Sequence, residues 1–174
     1  MKILAISGSL RAASLNSALL RAAARLAPQG VEVDLFGGMA QIPLFNPDIE
    51  ASDPAPVAEF RRRILAADAL LIASPEFAHG ITGVLKNALD WMVGNESFVY
   101  KPVALLNASS RALHAHAALR EVMTVMSARI IEEASLTLPA FSSRIDEEGM
   151  LRDPEISGAL LQVMAAIGKA VPSA

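Results

Sequence analysis

The chain reads as an α/β domain: a five-stranded parallel sheet in the order 2-1-3-4-5, with helices on both faces making three layers. Three observations predict this. Strand-like apolar runs alternate with segments of helical periodicity along the whole chain. The first run, Lys2–Ile6, is continuous rather than alternating, as a strand buried on both faces requires. The runs assigned to strands 1, 3 and 4 each end in a polar, turn-forming cluster, so parallel pairing gathers those clusters on one edge.

Lys2–Ile6 gives strand 1 and stops at Ser7-Gly8-Ser9. Leu15, Ala18, Leu19, Ala22, Ala23 and Leu26 mark one face of a helix, stopped by Pro28 and Gly30. Val31–Phe36 is strand 2. Gly37 to Pro56 reads as a long loop with four prolines, and loops of that length are usually functional or at an interface. Val57, Phe60, Ile64 and Leu65 mark the next helix, and Ala69–Ala73 is strand 3. After the cluster Ser74 to Gly80, a helix presents Ile81, Val84, Leu85, Ala88, Leu89 and Met92 on one face.

Val103–Leu106 is strand 4 and runs into Asn107-Ala108-Ser109-Ser110. Leu119, Val122, Met123 and Met126 define another helix. Ile130-Ile131 and Leu136–Leu138 both suit strand 5, the second being preferred for its core. A polar stretch, Arg144–Pro154, precedes a closing helix on Ile156, Leu160, Val163, Met164 and Ile167. No composition shift divides residues 1–174, so a single domain is expected.

Composition narrows the function. Hydrophobic residues make up 53% and charged residues 19%, which fits a packed globular core rather than disorder. A net charge of −3, with the short run Arg61-Arg62-Arg63 at helical spacing, argues against a nucleic-acid partner. The chain has no cysteine, so disulfides, thiolate metal sites and thiol redox chemistry are all excluded. Electrons, if handled, must pass through a bound cofactor. No apolar stretch approaches membrane-spanning length and the first run is too short for a signal-peptide core, so a cytoplasmic location is expected.

In the order 2-1-3-4-5, ligands belong in the crevice beyond the carboxyl ends of strands 1 and 3. The segment Ser7 to Ser17 joins strand 1 to its helix there. A phosphate would meet backbone N–H groups and the positive end of the helix dipole, with Ser9, Ser14, Asn16 and Ser17 as donors and Arg11 as charge. Neither a Walker A lysine nor a three-glycine dinucleotide fingerprint is present. A hydroxyl-lined loop of this kind suits a terminal monophosphate. Ser14 is also placed to cap the helix, a role that uses the same N–H groups.

Gly8-Ser9-Leu10-Arg11, with Ser14 and Asn16 following, resembles the NADPH-dependent FMN reductase family. So do Pro75-Glu76-Phe77, Gly80 and the run Gly83-Val84-Leu85-Lys86-Asn87-Ala88-Leu89-Asp90-Trp91, and Ile42 to Asp48 looks like the family's long loop. The resemblance implies a flavodoxin-like fold that binds FMN, takes electrons from NADPH or NADH, and assembles as a homodimer or homotetramer. By position it implies that Ser9, Arg11, Ser14, Leu15, Asn16 and Ser17 hold the phosphate end. Pro75, Glu76, Phe77, Ala78, His79 and Gly80, with Ser109 from the next loop, line the ring. The flavin carries the chemistry in such enzymes and no side chain need be catalytic, His79 being the one candidate. A ping-pong cycle would deliver electrons to a small acceptor such as a quinone, a flavin, an azo compound or a metal oxyanion; an electron carrier or sensor is the alternative.

This chain departs from the family pattern at three places. Ala78 stands where asparagine is usual and Thr82 where proline is usual. Ser109-Ser110-Arg111-Ala112-Leu113-His114 replaces a glycine-rich loop. His114 and His116, two apart on a helix, face different ways and are not expected to hold a metal. Glu76 is expected to orient its loop, Trp91 to serve core or interface, and Lys86 and Asp90 to pair on the surface. Phe36, Met39, Ile42, Leu44 and Phe45 form an apolar set expected to bury against a second subunit.

Overall fold

The computed structural model describes residues 1–139 and 145–171. Arg144, which heads the polar stretch of the sequence reading, lies outside them. The elements run β1 (Lys2–Ser7), α1 (Leu15–Arg25), β2 (Glu32–Leu35), α2 (Pro47–Glu50), α3 (Ala55–Ala66), β3 (Ala69–Ala73) and α4 (Gly83–Asp90). There follow β4 (Pro102–Asn107), α5 (Leu113–Val125), β5 (Arg129–Ile130), β6 (Leu136–Thr137), α6 (Glu147–Arg152) and α7 (Pro154–Ala170). The strands pair in parallel in the order β2-β1-β3-β4-β5, with β6 also on β4.

Alternation of side chains across the strands builds two cores. Ile3, Ala5, Ala69, Leu71, Ala73, Ala104 and Leu106 face α1, α6 and α7. Leu4, Ile6, Leu70, Ile72, Val103 and Leu105 face α3, α4 and α5. On the first face, alanines of the strands meet Ala18, Ala22 and Ala23 of α1, all at most 5% exposed. Small residues on both surfaces let α1 lie close to the sheet, which carries its N-terminus to the strand edge.

The fifth strand position is divided. Val103 pairs with Ile130 and Leu106 with Leu136, so three steps along β4 face six along its partner. The extra residues form a 3-10 turn, Glu132–Ala134. Ser135 Oγ then accepts the Leu105 N–H at 3.4 Å, in place of a backbone carbonyl. Both sequence candidates for strand 5 are therefore strands, and the preference for the second alone needs this correction.

The long loop is also more ordered than its prolines suggest, with a 3-10 turn at Met39–Gln41 and the short α2. Of its apolar set, three residues are already buried without a second subunit. Phe36, Met39 and Ile42 are buried within this chain, Phe36 lies 4.8 Å from Phe60 between ring centroids, and Phe45 packs edge-on against Trp91. Leu44 alone of the five is well exposed, at 83%. Asn87 and Trp91 of the α4 segment explain the docking. Pro43 O accepts from Asn87 Nδ2 at 2.9 Å and from Trp91 Nε1 at 2.8 Å, while Asn87 Oδ1 accepts the Phe45 N–H at 2.7 Å. Trp91 is thus a core residue with its indole N–H satisfied. Arg61, Arg62 and Arg63 each form an ion pair, so they make no free basic patch. No helix of the described residues is long and apolar enough to cross a membrane.

Candidate functional site

At the carboxyl edge of the sheet lies a cleft of about 870 Å³. Its floor and walls come from the β1–α1 loop, the β3–α4 loop, the β4–α5 loop and the start of α6. Among the expected residues, Ser9, Arg11, Ser14, Leu15, Asn16, Pro75, Glu76, Phe77 and Ser109 line it. Ser17, Ala78, His79 and Gly80 do not.

The β1 loop starts at Gly8, where only a hydrogen fits. A Cβ there would stand 2.4 Å from Ser74 Oγ and 3.2 Å from Ser74 Cα, because the turns after β1 and β3 approach closely. Beyond it, Ser9 Oγ accepts the Arg11 N–H at 3.3 Å, and Ser14 Oγ accepts the Ser17 N–H at 3.3 Å as the cap of α1. Each hydroxyl uses a lone pair in these bonds and has no acceptor for its own proton among the described residues. Ser17 is 7% exposed, and its hydroxyl lies 2.7 Å from Ser7 Oγ, under the loop rather than in the cleft.

Side-chain bonds tie the loops to one another. Thr82 Oγ1, at the head of α4, donates to Gly8 O at 2.6 Å and accepts the Leu85 N–H at 3.3 Å. Asn16 Oδ1 accepts the Ala108 N–H at 3.3 Å. Glu76 Oε2 accepts the Ala115 N–H at 2.9 Å, so its carboxylate meets the positive end of α5. Asn107, 3% exposed, clamps its own loop: Oδ1 accepts from Ser109 N at 3.1 Å and Nδ2 donates to Ala112 O at 3.1 Å.

Sequence reasoning missed two parts of the cleft. Arg111 lines it from the β4–α5 loop, beside Ala112. Among the described residues neither Arg111 nor Arg11 has an ion-pair partner. The other part is the wall Ile145–Glu148, fastened where Arg21 donates to Glu147 at 2.6 Å and Arg25 bonds Glu147 and Glu148. The hydrogen bond from Arg21 holds the Glu147 carboxyl below its ordinary value. A Ser-x-Arg repeat at the ends of β1 and β4 was the available signal for Arg111; nothing local announced the α6 wall.

Ala78 and His79 form a strained tip outside the cleft. Phe77 and Gly80 exchange backbone hydrogen bonds of 3.0 and 3.1 Å around them, and both central residues are left-handed, at φ 50° and 59°. This is the pattern of a type I′ turn, which favours Asn-Gly. The His79 ring stacks on His114 with centroids 4.3 Å apart, docking the tip on α5. Burial, then Arg120, holds His116 below its ordinary value, and no metal-binding cluster occurs among the described residues. Alanine has no means of offsetting the left-handed strain, so Ala78→Gly should stabilise the protein by roughly 0.5–1 kcal/mol in urea unfolding. A destabilised variant would show that the tip is not strained in solution.

The comparisons with known proteins agree with this geometry. The family model described as NADPH-dependent FMN reductase matches residues 1–142. An NAD(P)H-dependent FMN reductase of Pseudomonas aeruginosa is 36% identical, over 96% of this chain and 93% of its own length. A probable NADPH:quinone oxidoreductase of Oryza sativa is 34% identical, over 96% and 90%. The solved structure of a flavoenzyme NAD(P)H:(acceptor) oxidoreductase from Paracoccus denitrificans superposes with a TM-score of 0.78 and 26% identity, covering 97% of both chains. The fold is flavodoxin-like, and the chain belongs to the NADPH-dependent FMN reductase family.

Proposed function

We propose that the cleft holds FMN with its phosphate on the β1–α1 loop and its ring between the β3–α4 and β4–α5 loops. From there the chain passes electrons from NAD(P)H to a small acceptor by a ping-pong cycle. The observation that carries this reading is the Arg11 guanidinium, unpaired among the described residues, in one loop with two hydroxyls whose protons have no acceptor there. That donor set, at the N-terminus of the 11-residue α1, fits a phosphate monoester in charge and hydrogen-bonding capacity. Bound FMN supplies the capacity to take up a hydride and release its electrons to a second substrate.

The chain's own residues bind, orient and brace. Arg11, Ser9 and Ser14 anchor the phosphate end. Asn16 is already committed through Oδ1 to Ala108, so it fixes the β4–α5 loop against α1 as well as lining the site. Glu76 is held by the Ala115 N–H and acts on loop position, since hydride transfer to a flavin requires no protein acid. His79 lies outside the cleft, and its stack on His114 supports a positioning role for the tip. The name of the Oryza relative points to quinones as acceptors; flavins, azo compounds and metal oxyanions remain within the same class of small electron acceptor.

A homodimer or homotetramer would cover the mouth of this cleft. Leu10, Phe77 and Leu113 come from the three loop regions at the sheet edge and are 59%, 65% and 65% exposed. These residues, rather than the apolar set of the long loop, are the candidates for burial against a second subunit. Sedimentation of the FMN-loaded protein at micromolar concentration should give a dimer or larger, and a monomer would count against this assignment.

Anaerobic stopped-flow mixing tests the activity. NADPH or NADH should bleach the bound flavin at a rate on the order of 10 s⁻¹ at saturation, and a quinone added in a second mix should restore the colour. Parallel steady-state double-reciprocal lines should accompany this. Reduction of the bound flavin no faster than that of free FMN would instead fit an electron carrier.

A further inference from the structure

Two turns of the same construction face one another across the cleft. After β1, Ser9 N donates to Ser7 Oγ at 3.2 Å, and Ser9 Oγ accepts the Arg11 N–H at 3.3 Å. After β4, Ser109 N donates to Asn107 Oδ1 at 3.1 Å, and Ser109 Oγ accepts the Arg111 N–H at 3.3 Å. Each turn thus carries an arginine on a braced backbone, and both arginines line the same cavity. The second turn is held by the Asn107 clamp and, one turn into α5, by Glu76.

The charge of these arginines is otherwise unused. Arg21, Arg25, Arg61, Arg62, Arg63 and Arg120 are all in ion pairs; Arg11, Arg111, Arg129 and Arg152 have none among the described residues, and of these four only Arg11 and Arg111 line the cleft. A guanidinium remains charged at any physiological pH, so the cleft, which Glu76, Asp146, Glu147 and Glu148 also line, holds two charged arginines that are in no ion pair among the described residues. β3 separates β1 from β4, which places the turns about 10 Å apart along the sheet edge. A phosphate seated on α1 and Ser14 is served by Arg11, which leaves Arg111, on the loop after β4, for another group.

We propose that Arg111 is the anion-recognition residue for the second ligand to enter the cleft, and that it binds the pyrophosphate of the reduced nicotinamide dinucleotide. The planar fork of a guanidinium suits paired phosphate oxygens, and a quinone offers it no comparable group. The pyrophosphate is common to NADH and NADPH, so Arg111 governs affinity for both and does not discriminate between them. This rests on the reading of the cleft as an FMN site, and the test separates the two.

The test uses the FMN-loaded protein and its Arg111→Ala and Arg111→Lys variants. NAD⁺ binding is followed by perturbation of the flavin spectrum, and NADH and NADPH binding by the concentration dependence of flavin reduction. In Arg111→Ala, Kd for all three nucleotides should rise roughly ten- to a hundredfold, with the limiting reduction rate changed less than about twofold. Arg111→Lys should recover part of the affinity. Added salt should weaken nucleotide binding more in the parent than in Arg111→Ala. An N-benzyl dihydronicotinamide, which lacks the pyrophosphate, should reduce parent and variant equally. FMN affinity of the apoprotein should be unaffected by Arg111→Ala but fall by a similar ten- to hundredfold factor in Arg11→Ala. Unchanged nucleotide binding overturns the assignment while leaving the FMN site standing. Loss of FMN affinity in Arg111→Ala to the extent seen in Arg11→Ala also overturns it, since both arginines would then hold one phosphate. A parent protein that binds no FMN overturns this inference together with the reading beneath it.

Discussion

In a sheet whose strands all run one way, every carboxyl end lies along the same edge, and loop backbone leaving that edge has no ladder to pair with. The cleft depends on how this chain meets that constraint. Side chains from one loop satisfy the backbone of the next: Thr82 bonds Gly8 O, Asn16 bonds Ala108 N, and Glu76 bonds Ala115 N. Each such bond is worth about 1 kcal/mol net, but leaving its buried partner unmet costs about 1–3 kcal/mol, so the loops hold one another in place. The close approach of Gly8 to Ser74 is part of the same arrangement. Three separate loops along the cleft are thereby fixed relative to one another.

The ties also explain the departures from the family pattern. Thr82 in place of proline supplies the hydroxyl that caps α4 and bonds Gly8 at once. The Ser109 to Ala112 loop, in place of glycines, is kept in shape by Asn107 and gains a charged side chain. Ala78 is the exception. It occupies a left-handed position without the side-chain amide that makes asparagine tolerant there, and the His79–His114 stack is what holds the tip.

Much of this was legible in the residues. Continuous apolar runs and helical spacing gave the layers and strand order, since burial on both sides of a parallel sheet leaves a direct mark on composition. Ser14 was readable as a cap because N-caps are local. What failed were features set by tertiary distance. The apolar residues Phe36, Met39 and Ile42 looked surplus to a loop, yet Asn87 and Trp91 fold that loop onto α4 and bury them. The divided fifth strand follows from a register along β4 that no local pattern encodes. The wall at Glu147 arises from ion pairs to Arg21 and Arg25, more than 120 residues earlier in the chain. Arg111 was visible only by comparing two turns that lie far apart in sequence and on either side of β3 along the sheet edge.

On the proposed function, the β1–α1 loop is the seat of a phosphate monoester, to which the rest of the site is registered. Calorimetric titration of the apoprotein with FMN and with riboflavin separates that phosphate from every other part of the flavin. The phosphate's charge-assisted bonds should make FMN bind roughly a hundredfold more tightly than riboflavin. Equal affinity for the two would contradict the account, because the loop would then contribute nothing to holding the cofactor.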